Sequence, residues 1–191
     1  MRVGINGFGR IGRLVVRAAL KRNAEIEFVG VNDVTDAKSL AHLLTYDSIH
    51  GPLSERVEVV DGALRVGGAT IRCLSEMNPA ALPWKDLGAD VILECTGKFT
   101  DRDKAAVHLL SGAKRVLVSA PSKGADATFV IGVNENTFDP SKHQIVSIAS
   151  CTTNCLAPVL SVLDETFGIE RGLMTTVHAY TNDQRIHDAP H

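Results

Sequence analysis

Gly7-Phe8-Gly9-Arg10-Ile11-Gly12 constrains this chain more than any other stretch. The G-x-G-x-x-G spacing follows an apolar, β-rich run at 1–6 and opens an amphipathic run at 10–22. A strand before it and a helix opening inside it give this spacing its meaning. Gly7 makes the tight turn, Gly9 lets the backbone approach a pyrophosphate, and Gly12 lets helix and strand pack closely. The helix N-terminus then offers phosphates its N–H groups and a partial positive charge. Asp33, 21 residues beyond Gly12 at the end of the apolar run 26–31, suits the hydroxyls of an adenosine ribose. It also repels a 2′-phosphate, so the sequence favours NAD over NADP. Without Asp33, a structural glycine turn reads almost as well.

The same alternation continues. In 10–22 the apolar residues Ile11, Leu14, Val15, Ala18 and Ala19 stand at helical spacing. A short helix is expected at 39–44. Short β-like pieces at 57–60, 63–66 and 69–74 surround the turn signals Asp61-Gly62 and Gly67-Gly68, as in an antiparallel insertion. A buried strand is expected at 91–95, then a helix at 101–111 with Thr100 as N-cap and Gly112 past its end. Strands at 115–119, 128–133 and 144–148 close the series, and a helix follows at 151–167, ended by Gly168. The stretch 173–180 is a further strand candidate. Strand–helix alternation implies βαβ units, hence an α/β chain with a doubly wound, mostly parallel sheet.

Composition sets outer limits. With 45% hydrophobic and 22% charged residues, the chain is neither mainly disordered nor collagen-like nor a coiled coil. A formal net charge of −2 argues against non-specific nucleic-acid binding. No apolar run reaches the ~20 residues that span a bilayer, so no membrane role is expected. Met1-Arg2-Val3-Gly4-Ile5 reads as a strand rather than a signal peptide, which makes the cytoplasm the expected location. Cys73, Cys95, Cys151 and Cys155 read as reduced.

Cys95-Thr96-Gly97 and Ser119-Ala120-Pro121 each follow a strand, so Thr96, Gly97 and Ser119 are candidate cofactor contacts. Ordinary strand-end turns are the plainer reading. Ser150-Cys151-Thr152-Thr153-Asn154-Cys155 falls where a strand turns into a helix. A thiol at a helix N-terminus is acidified by backbone dipoles, and the thiolate is the nucleophile. The backbone N–H groups there can stabilise an oxyanion. Cys155 lies one turn on and is expected to face apolar packing. Cys-x3-Cys is not a zinc spacing, so no metal is expected. His178 follows Cys151 by 27 residues and could serve as its base. From spacing alone, Cys151 reads equally well as a structural cysteine, and His178 reads better as an ordinary surface or packed histidine.

Taken together, these motifs resemble the phosphorylating glyceraldehyde-3-phosphate dehydrogenases. The resemblance runs from Val3 to the last residue. It includes Ala41-His42-Leu43-Leu44-Thr45-Tyr46-Asp47-Ser48, Glu94-Cys95-Thr96-Gly97 and Ser119-Ala120-Pro121-Ser122-Lys123-Gly124. It also includes Ala149-Ser150-Cys151-Thr152-Thr153-Asn154-Cys155 and Val177-His178-Ala179-Tyr180-Thr181. The resemblance implies a Rossmann-type NAD domain over 1–150 and the start of an α+β catalytic domain over 151–191. It implies addition of the Cys151 thiolate to glyceraldehyde 3-phosphate, with His178 as base, and attack of inorganic phosphate on the resulting thioester. Asn6, Phe8, Gly9, Arg10, Ile11, Asn32, Asp33, Met77, Thr96 and Ser119 are then expected at the NAD site. Ser150, Thr152 and Thr181 are expected to hold phosphate, with Asp183 in the same loop. A homotetramer is expected of the full-length protein.

Some positions depart from the family pattern. Ile148 stands where Asn is common, and Met77 where a basic residue often follows Glu. Ala189-Pro190 and Asp33 agree with NAD rather than NADP. The chain is shorter than the family pattern, so it reads as a fragment with an apolar surface exposed over 151–180. Erythrose-4-phosphate dehydrogenase is the nearest rival, disfavoured by Thr181-Asn182-Asp183-Gln184-Arg185. An inactive NAD-binding fragment is the rival of a different class.

Overall fold

The computed structural model describes residues 1–180, so Thr181, Asp183, Ala189 and Pro190 lie outside the described residues. The chain opens with β1 (Arg2–Asn6), α1 (Arg10–Lys21), β2 (Glu27–Asn32) and α2 (Ala37–Thr45). Strands β3 (Val57–Val60), β4 (Ala63–Val66) and β5 (Ala69–Leu74) come next. Then follow β6 (Val91–Glu94), α3 (Arg102–Ala105), α4 (Val107–Leu110), β7 (Arg115–Val118), β8 (Ala127–Thr128), β9 (Ile145–Ser147) and α5 (Cys151–Phe167).

One nine-stranded sheet runs β3-β4-β5-β2-β1-β6-β7-β9-β8. Only β3–β4 and β4–β5 pair antiparallel. The β3–β4 turn carries Asp61 and Gly62 at φ 50° and 76°, the left-handed pair that a two-residue hairpin requires. The expected insertion is therefore present, and it joins the main sheet because β5 pairs parallel with β2. Strand order reverses at β1, which lies between β2 and β6. Such a switch point opens a crevice at the carboxyl ends of the strands.

Three apolar clusters hold the layers. Val3, Ile5, Phe8, Val16, Val31, Leu40, Leu44 and Leu64 join β1, β2 and β4 to α1 and α2. Val29, Trp84 and Ile92 form the second, and Ala105, Val116, Val118 and Ile145 the third. In α1, Arg13 and Arg17 are buried while Ile11 is half exposed, so apolar spacing marked the helix but not its deepest face. The arginines are buried because carbonyls receive them. Arg17 donates to Leu44 O (2.8 Å) and Gly51 O (2.6 Å), capping the end of α2, and Arg13 donates to Phe8 O (2.9 Å).

Four expectations need correction. The helix expected over 101–111 is two short ones, with Asp101 rather than Thr100 as the N-cap of α3. The break is at Ala106, past which Leu109 N–H bonds three residues back, to Ala106 O. The strand expected over 128–133 stops at Thr128, because Asn134 takes over the backbone groups beyond it. Asn134 Oδ1 accepts from Val130 N–H and its Nδ2 donates to Thr128 O. No strand forms at 173–180, where the backbone finds no sheet partner among the described residues. Cys155 is exposed rather than packed, and so are Val159, Leu160, Val162, Leu163 and Phe167 along α5. The apolar surface expected over 151–180 is thus observed.

Asp47 secures the loop after α2. Its carboxylate accepts from the N–H groups of Ile49 (2.9 Å) and His50 (2.8 Å) and pairs with Arg10 (3.2 Å). Burial pushes its pKa up, but the backbone donors, the His50 ring and Arg10 outweigh burial and hold it far below the ordinary value. A depressed pKa stabilises the fold above the unfolded value of about 4, and this is lost as pH falls through the folded value. Asp47→Asn is therefore expected to cost about 1–3 kcal/mol at neutral pH. The gap in melting temperature between variant and parent should close as the pH is taken below about 4.

Candidate active site

The crevice at the switch point is a cavity of about 400 Å³. Loops after five strands line it. Asn6 ends β1, Gly7 and Gly9 follow it and Arg10 and Ile11 open α1; Asn32 ends β2 and Asp33 follows it, and Met77 follows β5. Thr96 and Gly97 follow β6, and Ser119 follows β7. Nine of the ten expected cofactor residues therefore meet here. The exception is Phe8, whose ring is fully buried in the first cluster. Phe8 reaches this region only through its backbone N–H, which donates to Asp33 Oδ2 at 2.9 Å. Asp33 Oδ1 accepts from Thr35 N–H at 3.0 Å, so the carboxylate is fixed at the rim.

Dinucleotide geometry is tested at the glycines. Gly7 sits at φ 93°, and a Cβ there would lie 2.6 Å from Thr96 N. A Cβ on Gly12 would lie 2.4 Å from Gly7 O. Both glycines are needed for packing within the protein. Gly9 differs, since a Cβ there would meet nothing within 4 Å and would point into open space. No side chain caps α1 and no acid occupies its first turn, so its positive end is offered to an anion. A pyrophosphate fits this cradle. Gly9 has φ −70°, which alanine adopts readily. Gly9→Ala is therefore expected to change stability by less than about 0.5 kcal/mol. It should weaken ADP-ribose binding by about tenfold, some 1.4 kcal/mol by calorimetry.

The second site lies at the start of α5. The chain enters it through Ala149, a non-glycine residue at φ 61°, a strained turn of the kind that accumulates at functional sites. Ser150 caps the helix by accepting from Thr153 N–H at 3.0 Å. Asn154 clips the turn from within, donating to Ile148 O (2.7 Å) and Ser150 O (2.9 Å). Cys151 is thereby presented, exposed, as the first helical residue.

Cys151 and His178 share one groove of about 370 Å³ with Thr152, Cys155 and Thr176. The fold thus brings together two residues 27 apart in sequence. His178 Nε2 bonds to Thr152 Oγ1 (3.2 Å) and Thr176 Oγ1 (3.0 Å), and no hydrogen bond joins it to Cys151 among the described residues. Groove and cavity have no lining residue in common. One buried hydroxyl connects their walls. Ser147 Oγ donates to Ala120 O (2.7 Å), on the cavity side, and accepts from Ala149 N–H (3.0 Å), in the turn before Cys151.

Sequence reasoning missed Ser147, Asn154 and a buried polar group below the cavity built on Glu94 and His108. The available signal was an acid inside a run read as a buried strand. Cys95 also lines the cavity, and burial pushes its thiol up to about 11, so it stays protonated at neutral pH.

Comparison with known proteins shows the family. Residues 1–102 match the family model described as "Glyceraldehyde 3-phosphate dehydrogenase, NAD binding domain". Residues 150–191 match "Glyceraldehyde 3-phosphate dehydrogenase, C-terminal domain". Over 191 residues the chain is 58% identical to the glyceraldehyde-3-phosphate dehydrogenase of Geobacillus stearothermophilus. It is 56% identical to glyceraldehyde-3-phosphate dehydrogenase 1 of Streptomyces avermitilis and 55% identical to the enzyme of Thermotoga maritima. All of the chain is aligned in each case, and it spans 57% of each relative's length. With a dinucleotide cradle over the first family match and a helix-capped thiol opening the second, the chain belongs to the glyceraldehyde-3-phosphate dehydrogenase family.

Proposed function

We propose that the complete protein catalyses the NAD-dependent oxidative phosphorylation of D-glyceraldehyde 3-phosphate to 1,3-bisphosphoglycerate. The observation that carries this reading is Cys151, exposed as the first residue of α5 in one groove with His178. The Cys151 sulfur forms a bond to the aldehyde carbon, and the α5 backbone N–H groups stabilise the charge on its oxygen. His178 gives that oxygen a proton as the C–S bond forms and takes it back as the carbon gives up its hydride. NAD, held by the residues that line the cavity, would supply the hydride acceptor. Cys151 holds the acyl group as a thioester until inorganic phosphate attacks, which breaks the C–S bond and returns the thiolate.

In this reading Asn6, Gly9, Arg10, Ile11, Asn32, Asp33, Met77, Thr96 and Ser119 hold NAD, with Phe8 contributing its backbone. Ser150, Thr152 and Thr181 hold phosphate. Residues 1–150 act as the NAD domain and 151–191 as the start of the catalytic domain, which the positions of the cavity and the groove support. We further propose a cytoplasmic homotetramer that acts on small molecules rather than nucleic acid or membrane. Among the described residues, no helix is long and apolar enough to cross a membrane.

The test is NADH formation by the full-length protein with glyceraldehyde 3-phosphate and phosphate, set against erythrose 4-phosphate. We expect kcat/KM to favour the triose by roughly tenfold or more. Preference for the tetrose would move the protein to the rival dehydrogenase, and binding of NAD without turnover of either would leave a binding module.

A further inference from the structure

Below the cavity runs a line of buried polar side chains, of which Trp84, His108 and Glu94 have no part in the proposed chemistry. Trp84 and His108 are fully buried, Glu94 and Asn6 are 1% exposed, and Asn32 is 5% exposed. The Trp84 indole N–H donates to His108 Nδ1 at 3.2 Å. An indole nitrogen only donates, which assigns the ring proton of His108 to Nε2. That nitrogen donates to Glu94 Oε2 at 2.9 Å, and Asn6 Nδ2 donates to the same oxygen at 2.6 Å. Glu94 Oε1 accepts from both the N–H (2.8 Å) and the hydroxyl of Thr96. Asn6 Oδ1 accepts from Asn32 Nδ2 at 2.7 Å, and Asn32 closes on the Glu76 backbone in both directions.

Among the described residues, Glu94 therefore collects four donors and no lysine or arginine. A buried carboxylate matched in this way is rigid, because losing any donor leaves a buried charge underserved. Asn6, Asn32, Glu76 and Thr96 all line the dinucleotide cavity, whereas Glu94, His108 and Trp84 do not. Three loops of the rim, after β1, β2 and β6, are thus tied to one carboxylate beneath them.

We propose that Glu94 is a positioning residue for the dinucleotide, and that the Trp84–His108–Glu94 relay transmits occupancy of the cavity to the indole. This rests on the NAD reading of the cavity. A ligand that draws on Asn6 or Thr96 alters their bonds to Glu94, and one that draws on Asn32 acts on Glu94 through Asn6. That changes the pull of Glu94 on the His108 proton, and hence the strength of Nδ1 as acceptor for the indole N–H. Trp84 is the only tryptophan among these 191 residues, and a Trp84→Phe blank subtracts emission from any other.

The experiment is titration with ADP-ribose, which lacks the nicotinamide ring and its absorption. Indole emission is excited at the red edge, where adenine is silent, with calorimetry run in parallel and Trp84→Phe as the blank. We expect a saturable emission change that tracks calorimetric occupancy and is lost in the blank. His108→Gln retains a donor for Glu94 but loses the Nδ1 acceptor, so affinity should stay within about twofold while the emission change disappears. His108→Asn retains an acceptor near the indole but loses the donor to Glu94, so affinity should fall about tenfold or more. An unchanged wild-type emission at calorimetric saturation overturns the relay, and this arm needs no variant to fold. So does an equal emission change in the Trp84→Phe blank. Wild-type affinity in a folded His108→Asn protein overturns the positioning role. Absence of any ADP-ribose binding removes the dinucleotide reading, and the proposal with it.

Discussion

Cys151→Ser in the full-length protein is expected to lower kcat for triose phosphate oxidation by about 10⁴-fold or more. Serine preserves the shape of the α5 N-terminus, and the Ser150 cap and the Asn154 clip do not involve the thiol. The loss therefore isolates nucleophilicity. A hydroxyl is a far weaker nucleophile than a thiolate, and an ester yields to phosphate more slowly than a thioester. Because groove and cavity share no lining residue, ADP-ribose affinity should remain within about twofold of the parent. Calorimetry beside a coupled turnover assay checks both halves. Turnover within tenfold of the parent would remove Cys151 from the proposed chemistry.

Gly7→Ala is the second large effect, and it acts on the fold. The methyl group would have to lie 2.6 Å from Thr96 N, a backbone atom that cannot swing aside. The residue would also be held at φ 93°, where a side chain is strained. Overpacking and strain together should cost about 3–5 kcal/mol. At about 2–4 °C per kcal/mol for a chain of this size, the melting temperature should drop by roughly 6–20 °C. ADP-ribose affinity should fall as well, since Gly7 and Thr96 are forced apart at the cavity wall. The contrast with Gly9→Ala is the informative part. The two glycines are two residues apart, yet one is expected to fail in melting and the other in binding. A Gly7→Ala protein that melts with the parent would mean that the β1 and β6 loops can separate freely.

What was legible in the sequence was what is locally encoded. Strands β3, β4 and β5 have their expected bounds because paired turn residues delimit them. Helix α5 runs from Cys151 to Phe167 because Ser150 caps it and Gly168 stops it. Gly9, Asp33, Thr96 and Ser119 were likewise within reach, from the glycine motif and the strand ends, whereas the other five cavity residues were expected only through the family resemblance. What escaped depends on partners far along the chain. Glu94 meets Asn6 across 88 residues, and Asn6 lies 3.4 Å from His108 across 102. Arg17 is buried by carbonyls 27 to 34 residues away, which no periodicity discloses. One miss was local: the strand expected at 128–133 was lost to the Asn134 side chain, four to six residues on, which competes with a ladder for the same backbone groups.

Ser147 narrows what the chain can become. It is fully buried, touches neither cavity nor groove, and yet ties the wall of one to the turn that presents the other. Alanine would leave both loops in place but unlatched, threonine would drive a methyl into a filled site, and cysteine would keep the size with a weaker donor. Drift at this position would therefore be felt as a loss of alignment between two sites that each still work alone. The alignment of the cavity wall with the turn before Cys151 is inherited, in part, through one oxygen atom.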